Sequence, residues 1–170
     1  MEWTGARYAD SPTVEVEILV DAPPARVWPL ISDIHLMPQV STELQRVEWQ
    51  DGATGPATGA RFTGWNERPN VGAWQTTSTV VECEEPTVFA WAVGDVAAPA
   101  ATWRFTLAES GAGTTVRQWV QMGPGRSLLN RLIDATPEAE QKIVYVRMRE
   151  YETAMTANLA EIKVRAERAR

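Results

Sequence analysis

The stretch Thr136-Pro-Glu-Ala-Glu-Gln-Lys-Ile-Val-Tyr-Val-Arg-Met-Arg-Glu-Tyr151, running on to Arg170, decides how the rest of the chain has to fold. From Glu138 to Arg170 it contains neither proline nor glycine, so nothing in it interrupts a helix. Thr136 is placed to cap, Pro137 suits the first helical position, and Glu138 and Glu140 favour the positive end of the helix dipole. Val144, Met148, Tyr151, Met155, Leu159 and Ile162 recur at steps of three and four and form one apolar stripe. Roughly 30 residues rising 1.5 Å each make a rod of about 45 Å. The segment from Lys163 to Arg170 is polar and is expected to fray.

Upstream of this rod the pattern is that of strands. Thr13–Val20 (TVEVEILV) alternates, with Val14, Val16, Ile18 and Val20 on one face and Glu15 and Glu17 on the other, which reads as a half-buried strand. Pro24 opens a short helix from Ala25 to Asp33, and Pro29 inside it predicts a kink. His35 to Glu43 reads as a loop or a second short helix. Strands follow at 45–50, 61–66, 74–83, 88–93, 101–107 and 114–122, separated by turns rich in Gly, Pro and Asn such as 67–72 and 109–113. Gly123-Pro-Gly125 ends the sheet region, and Ser127–Ala135 reads as one short helix. Residues 1–12 read as a loose arm ahead of a single domain, 13–170.

Consecutive strands joined by tight turns argue for antiparallel pairing. The expected fold is therefore α+β: a curved seven-stranded antiparallel sheet wrapped around a long C-terminal helix, with two short helices after the first strand. A bent sheet and a straight rod do not touch along their whole length. A greasy hollow is expected between them, filled by large side chains or by a ligand.

Composition excludes several classes. The chain has 170 residues, 44% of them apolar and 22% charged, an ordinary mix for a globular domain. Its net charge of −6 is the wrong sign for phosphate contacts, so no nucleic-acid partner is expected. Cys83 is the single cysteine and His35 the single histidine, which argues against zinc and against any intramolecular disulfide, and fits the cytoplasm. Residues 1–7 lack a basic start followed by an apolar stretch, so no signal peptide is read. No run approaches the roughly 18 apolar residues of a membrane span. Gly123-Pro-Gly-Arg126 lacks the strand–loop–Lys arrangement of a phosphate loop. No cofactor is expected.

Several segments together resemble one known family. They are Val16-Glu-Ile-Leu-Val-Asp-Ala-Pro-Pro-Ala-Arg-Val-Trp28 with Ser32-Asp33, Gly59-Ala-Arg-Phe-Thr-Gly-Trp-Asn66, Trp103-Arg-Phe-Thr-Leu107, Gly113-Thr-Thr-Val-Arg-Gln118 and the terminal helix. Over about residues 13–165 the chain resembles the START-like, helix-grip (SRPBCC) superfamily, which includes polyketide cyclases/dehydratases and lipid-transport proteins. The resemblance implies a deep hydrophobic cavity under the last helix. It does not imply one activity, because that fold serves enzymes, carriers and ligand-gated binders.

The candidate site residues each carry two readings. Eight tryptophans stand against three Phe and three Tyr. Trp28, Trp49, Trp91 and Trp103, with Phe62 and Phe105, line a pocket for a flat molecule or are core filler. Trp65 and Trp119 fall on the outer face of the sheet, where Trp119 faces water or a second chain, so a homodimer is open. Gln118 shares its face with Val116 and Val120. A buried amide there orients a ligand or bonds a neighbouring side chain. Asn66 follows the same logic beside Phe62. Arg147 flanks the apolar stripe, where it meets a ligand carboxylate or phenolate, pairs with Glu43 or Glu150, or extends to water. Tyr151 and Met155 belong to the stripe and face either ligand or core. His35 and Glu43 are the weak acid–base candidates.

Three functions compete on this reading. The first is binding or carriage of a small hydrophobic molecule, a lipid, polyketide or aromatic. The second is a cyclase- or dehydratase-like enzyme, which needs at least two polar groups converging in the cavity, such as Gln118 with Arg147 or Glu43. The third is an interaction module whose cavity is filled by its own tryptophans.

Overall fold

Alternation at Thr13–Val20 produces β1, whose Val14 and Val20 are buried and whose Glu15, Glu17 and Leu19 face outward. In this computed structural model, which describes residues 2–69, 71–111 and 113–168, the next elements are α1 (Pro24–Ser32), a single 3-10 turn at Ile34–Leu36 and α2 (Met37–Val40). Helix α1 carries Pro29 within it and buries Val27, Trp28 and Ile31. The strands β2 (Leu44–Trp49), β3 (Arg61–Arg68), β4 (Gly72–Glu84), β5 (Val88–Val93), β6 (Ala101–Ser110) and β7 (Gly113–Met122) follow, then α3 (Leu129–Ala135) and α4 (Glu140–Arg168). Asn70 and Ala112, which the sequence places in turns, lie outside the described residues, as do Ala169 and Arg170 of the tail. No helix among the described residues is long and apolar enough to cross a membrane.

The seven strands form one antiparallel sheet in the order β1-β7-β6-β5-β4-β3-β2. β1 and β2 are its rims. The ladder between β2 and β3 shifts register between Leu44 and Arg46, and that between β4 and β5 shifts between Val80 and Glu82. Such bulges bend a sheet. Helix α4 packs along β1 and β7 and also meets α1, α2 and α3. Every residue of its expected stripe is buried except Tyr151, which is part-exposed.

Three sequence expectations need correction. The C-terminal tail does not fray over 163–168. Lys163 donates to the Leu19 carbonyl at 2.8 Å and pairs with Glu167, Arg165 reaches Glu161 and Gln39 at 2.8 and 2.9 Å, and Ala166 is fully buried. Polarity there serves anchoring, because the long side chains bridge back to β1 and α2. Nor is the arm loose throughout. Tyr8 is buried, its hydroxyl donates to the Gly125 carbonyl at 2.6 Å, and its backbone N–H donates to Glu140 at 3.1 Å. Burial chiefly raises the Tyr8 pKa, so the phenol keeps its proton. This knot demands glycine at 125, where a Cβ would lie 1.9 Å from the Ala98 carbonyl oxygen. Thr136, finally, does not cap. Its hydroxyl donates back to the Leu132 carbonyl at 2.9 Å, and a 3-10 turn at Pro137–Ala139 leads into α4.

Candidate functional site

Strand register decides which rings share the concave face. Trp91 lies opposite Trp103 and Phe89 opposite Phe105, so four large rings from β5 and β6 point toward the helices together. Trp91 and Trp103 stack with centroids 6.2 Å apart and planes 11° from parallel. Phe89, Phe105 and Phe62 surround Trp91 at 5.5, 6.2 and 6.3 Å, and Trp49 meets Phe62 edge-on at 5.6 Å. Trp28 of α1 closes on Phe89 at 6.5 Å. Much of the space expected as a hollow is thus occupied by the chain's own rings. Aromatic pairs at these separations attract beyond their area burial, so filling is favourable when nothing else is bound. Two surface depressions lie elsewhere. One of about 350 Å³, lined by Glu15, Arg104, Thr106, Arg117 and Trp119, is on the outer face, and one of about 240 Å³ lies beside Leu19, Ser110 and Lys163.

The ring series leads outward to a cluster of charges. Tyr151 meets Trp103 edge-on at 5.0 Å, and the Arg147 guanidinium lies 4.4 Å over the Tyr151 ring. Arg147 donates to both oxygens of Glu43 at 2.8 Å and to Glu150 at 3.0 Å. Arg68, at the end of β3, donates to Glu150 at 2.7 Å and lies 3.8 Å from Glu43. This quartet ties three segments together: the loop before β2, the end of β3 and α4. The Arg147 side chain is 15% exposed, so its charge is well shielded from water. Burial opposes that charge, but Tyr151, Glu43 and Glu150 outweigh it and hold the Arg147 pKa above the ordinary arginine value. Burial likewise works to raise the Glu150 pKa. Hydrogen bonds from Arg68 and Arg147 overcome it and leave the carboxyl below the usual range.

Deeper in, the apolar interior divides into two clusters. One holds Phe105, Val116, Leu159, Ile162 and Ala166, and the other holds Val120, Val144, Met148 and Met155. Val16, Val93 and Trp103 pack against both. Gln118 lies between Val116 and Val120 and is 3% exposed, yet its Oε1 has no hydrogen-bond partner. Asn158 lies between Met155 and Leu159 on α4, and its buried Oδ1 is also unpartnered. Along this seam Val16, Ile18, Trp103 and Tyr151 stay part-exposed.

The structure therefore brings Trp91, Trp103, Phe62, Phe105 and Tyr151 into one contact series, with Arg147 and Glu43 at its outer end. Val120 and Met155 are fully buried beside the seam. Asn66 faces inward near the outer end, with its Nδ2 3.4 Å from Thr76 Oγ1 and from the Gly64 carbonyl. His35 stands apart. It is exposed after α1, and its backbone N–H donates to Asp33 at 2.9 Å. Trp65 and Trp119 are on the outer face, where Arg46 lies 3.8 Å over the first ring and Arg104 5.9 Å over the second. Sequence reasoning misses Arg68 and Asn158. Extending the inward series Phe62, Gly64, Asn66 by one step reaches Arg68, and Asn158 is a polar residue on the stripe between Met155 and Ile162.

Comparison with known proteins places this geometry. The family model described as polyketide cyclase / dehydrase and lipid transport matches residues 11–166. No curated protein sequence matches the chain. Among solved structures, the polyketide-cyclase-like protein Cgl2372 of Corynebacterium glutamicum is 26% identical, with 89% of this chain and 88% of that one covered and a TM-score of 0.64. The di-domain ARO/CYC protein BexL from the BE-7585A biosynthetic pathway is 19% identical with a TM-score of 0.69, covering 94% of this chain. The di-domain ARO/CYC protein StfQ from the steffimycin biosynthetic pathway is 16% identical with a TM-score of 0.70, covering 92% of this chain. This chain spans 50% of the length of each di-domain protein.

Proposed function

This chain belongs to the polyketide cyclase/dehydrase and lipid transport family, and from that premise we propose that it binds a small hydrophobic molecule between the sheet and α4. The observation that carries this reading is the incomplete burial of the apolar strip where the two clusters adjoin at mid-α4. Val16, Ile18, Trp103 and Tyr151 lie along that strip and are only partly buried. A flat molecule entering there replaces ring–ring contacts with ring–ligand contacts of the same kind. Met148 and Met155 line the same side of α4, and unbranched thioether side chains repack around a guest with little strain. The quartet of Glu43, Arg68, Arg147 and Glu150 then stands at the entrance and parts to admit the ligand.

The test is a titration of tryptophan emission with lipids, aromatic polyketides and quinones. Quenching or a spectral shift that saturates, and that Trp103→Phe diminishes, is the expected result. A silent response across the panel overturns the reading and favours the self-filled alternative, which draws on the Trp91–Trp103 stack. A cyclase-like role is a narrower form of the same proposal. It draws on Tyr151 and Glu43 as polar groups beside a bound polyketide, and it predicts a cyclised product when the protein is incubated with a linear poly-β-ketone.

A further inference from the structure

The two orphaned amide oxygens carry information about the ligand's chemistry. Gln118 sits opposite Phe105 on β6 and Val16 on β1, with fully buried Val116 and Val120 on either side of it along β7. Asn158 sits on α4 next to the fully buried Met155 and Leu159. Both fall at the boundary between the two apolar clusters, one from the sheet and one from the helix. An amide oxygen only accepts hydrogen bonds. A buried acceptor left unmet is destabilising, which is why most such groups in folded proteins are paired. Gln118 is 3% exposed and Asn158 is part-exposed, and no other buried side-chain atom among the described residues lacks a partner, which leaves these two acceptors open to donors that the chain itself does not supply.

We infer that the seam selects hydrophobic molecules carrying hydroxyl or N–H donors, such as phenols and hydroxylated polycycles, over ketones, quinones and ethers of the same shape. The inference rests on the binding role proposed above and adds the polarity of the ligand to it. The surrounding walls are aromatic and aliphatic, so they set shape and leave orientation to the two amides. A guest lacking donors would keep Gln118 and Asn158 unmet while also excluding water from them. That discriminates more sharply than a missing apolar contact does.

The experiment compares a dihydroxynaphthalene, its dimethyl ether and naphthoquinone by isothermal titration calorimetry with the intact chain. The diol is expected to bind at least about tenfold more tightly than either acceptor-only compound. Gln118→Leu is expected to weaken the diol by about tenfold and to leave the ether unchanged or tighter. Asn158→Leu moves affinity the same way and serves if Gln118→Leu fails to fold, which near-UV circular dichroism reports. Equal affinity for diol and ether sinks the donor requirement while the binding role stands. Tighter binding of the quinone sinks it too, and indicates that the amides present their NH₂ groups to the seam. Diol binding that ignores both substitutions assigns the orphaned oxygens to water and overturns the inference. If none of the three compounds binds, the binding role fails and this inference with it.

Discussion

Toward its C-terminal end α4 contributes Leu159, Ile162 and Ala166 to an interior built with Val20, Val27, Ile31, Phe89, Phe105 and Val116, whereas from its start to its middle it contributes Val144, Met148 and Met155 beside a quartet of charges. The first region is branched and aromatic. The second relies on thioethers, a part-exposed tyrosine and ion pairs that water can reach. Branched and aromatic side chains hold one arrangement, because few rotamers fit a dense interior. Methionine and surface-proximal ion pairs tolerate several. The same helix thus has a fixed end and an adjustable end, and the seam with Gln118 and Asn158 lies where they meet.

The sharpest way to break this comparison is to hollow each end. Phe89→Ala is expected to lower the unfolding free energy by about 3–5 kcal/mol in urea titrations, since the site is fully buried and tightly surrounded. Met148→Ala at the other end is expected to cost less, about 2–3 kcal/mol, because the flexible Met155 of the same cluster can move toward the space. Similar losses for both would erase the distinction. Next in size is Arg147→Met. It leaves Glu43 and Glu150 to Arg68 alone at a partly shielded site, and about 1–3 kcal/mol should disappear together with a shift in tryptophan emission from the Trp103–Tyr151 contact.

Acid sharpens the same point with a smaller effect. Glu150 has a lowered pKa in the folded chain, so the unfolded chain takes up its proton first as pH falls. Its stabilising contribution is fully present above the ordinary carboxylate pKa and is lost as pH drops through the lowered value. Wild-type protein should therefore exceed Glu150→Gln in unfolding free energy near neutrality, by less than about 1 kcal/mol in urea titrations, and the gap should close on acidification. A gap that widens in acid would contradict the pairing. The smallest effect is expected from Gln118→Leu without ligand. Removing an unmet acceptor should be neutral or stabilising by up to about 1 kcal/mol, and a clear loss of stability would mean that the amide has a partner inside the folded chain.

Most of the fold was legible because it rests on periodicity. The alternation of Val14, Val16, Ile18 and Val20 and the uninterrupted run after Glu138 suffice to set a bent sheet against a rod, and the family model and solved relatives agree with that fold. Local polarity misled where distant partners mattered. Lys163 and Arg165 look like a solvated tail until their bonds to Leu19 and Gln39 are seen. Tyr8 looks unattached until Gly125 comes back beside it. At the site, the inward placement of Trp91, Trp103 and Gln118 follows from strand alternation alone. The degree to which the rings fill the expected hollow does not, because it depends on sheet curvature and on register shifts at Val80 and Leu44. The pairing of Arg147 with Glu43 was one of several open alternatives, since a charged group 104 positions away leaves no periodic trace.

The rim strand β2 has a consequence for how copies of this protein meet one another. A rim offers free backbone donors and acceptors, which invite another molecule to extend the sheet by one more strand. Here the register break between Leu44 and Arg46 interrupts that template, and Arg46 and Glu48 place a 2.8 Å ion pair on its exposed side. An incoming segment would have to strip solvent from those charges and conform to a bent ladder. Replacing both with valine would remove that deterrent and should turn the guarded rim into a seed for fibrous self-association at high concentration.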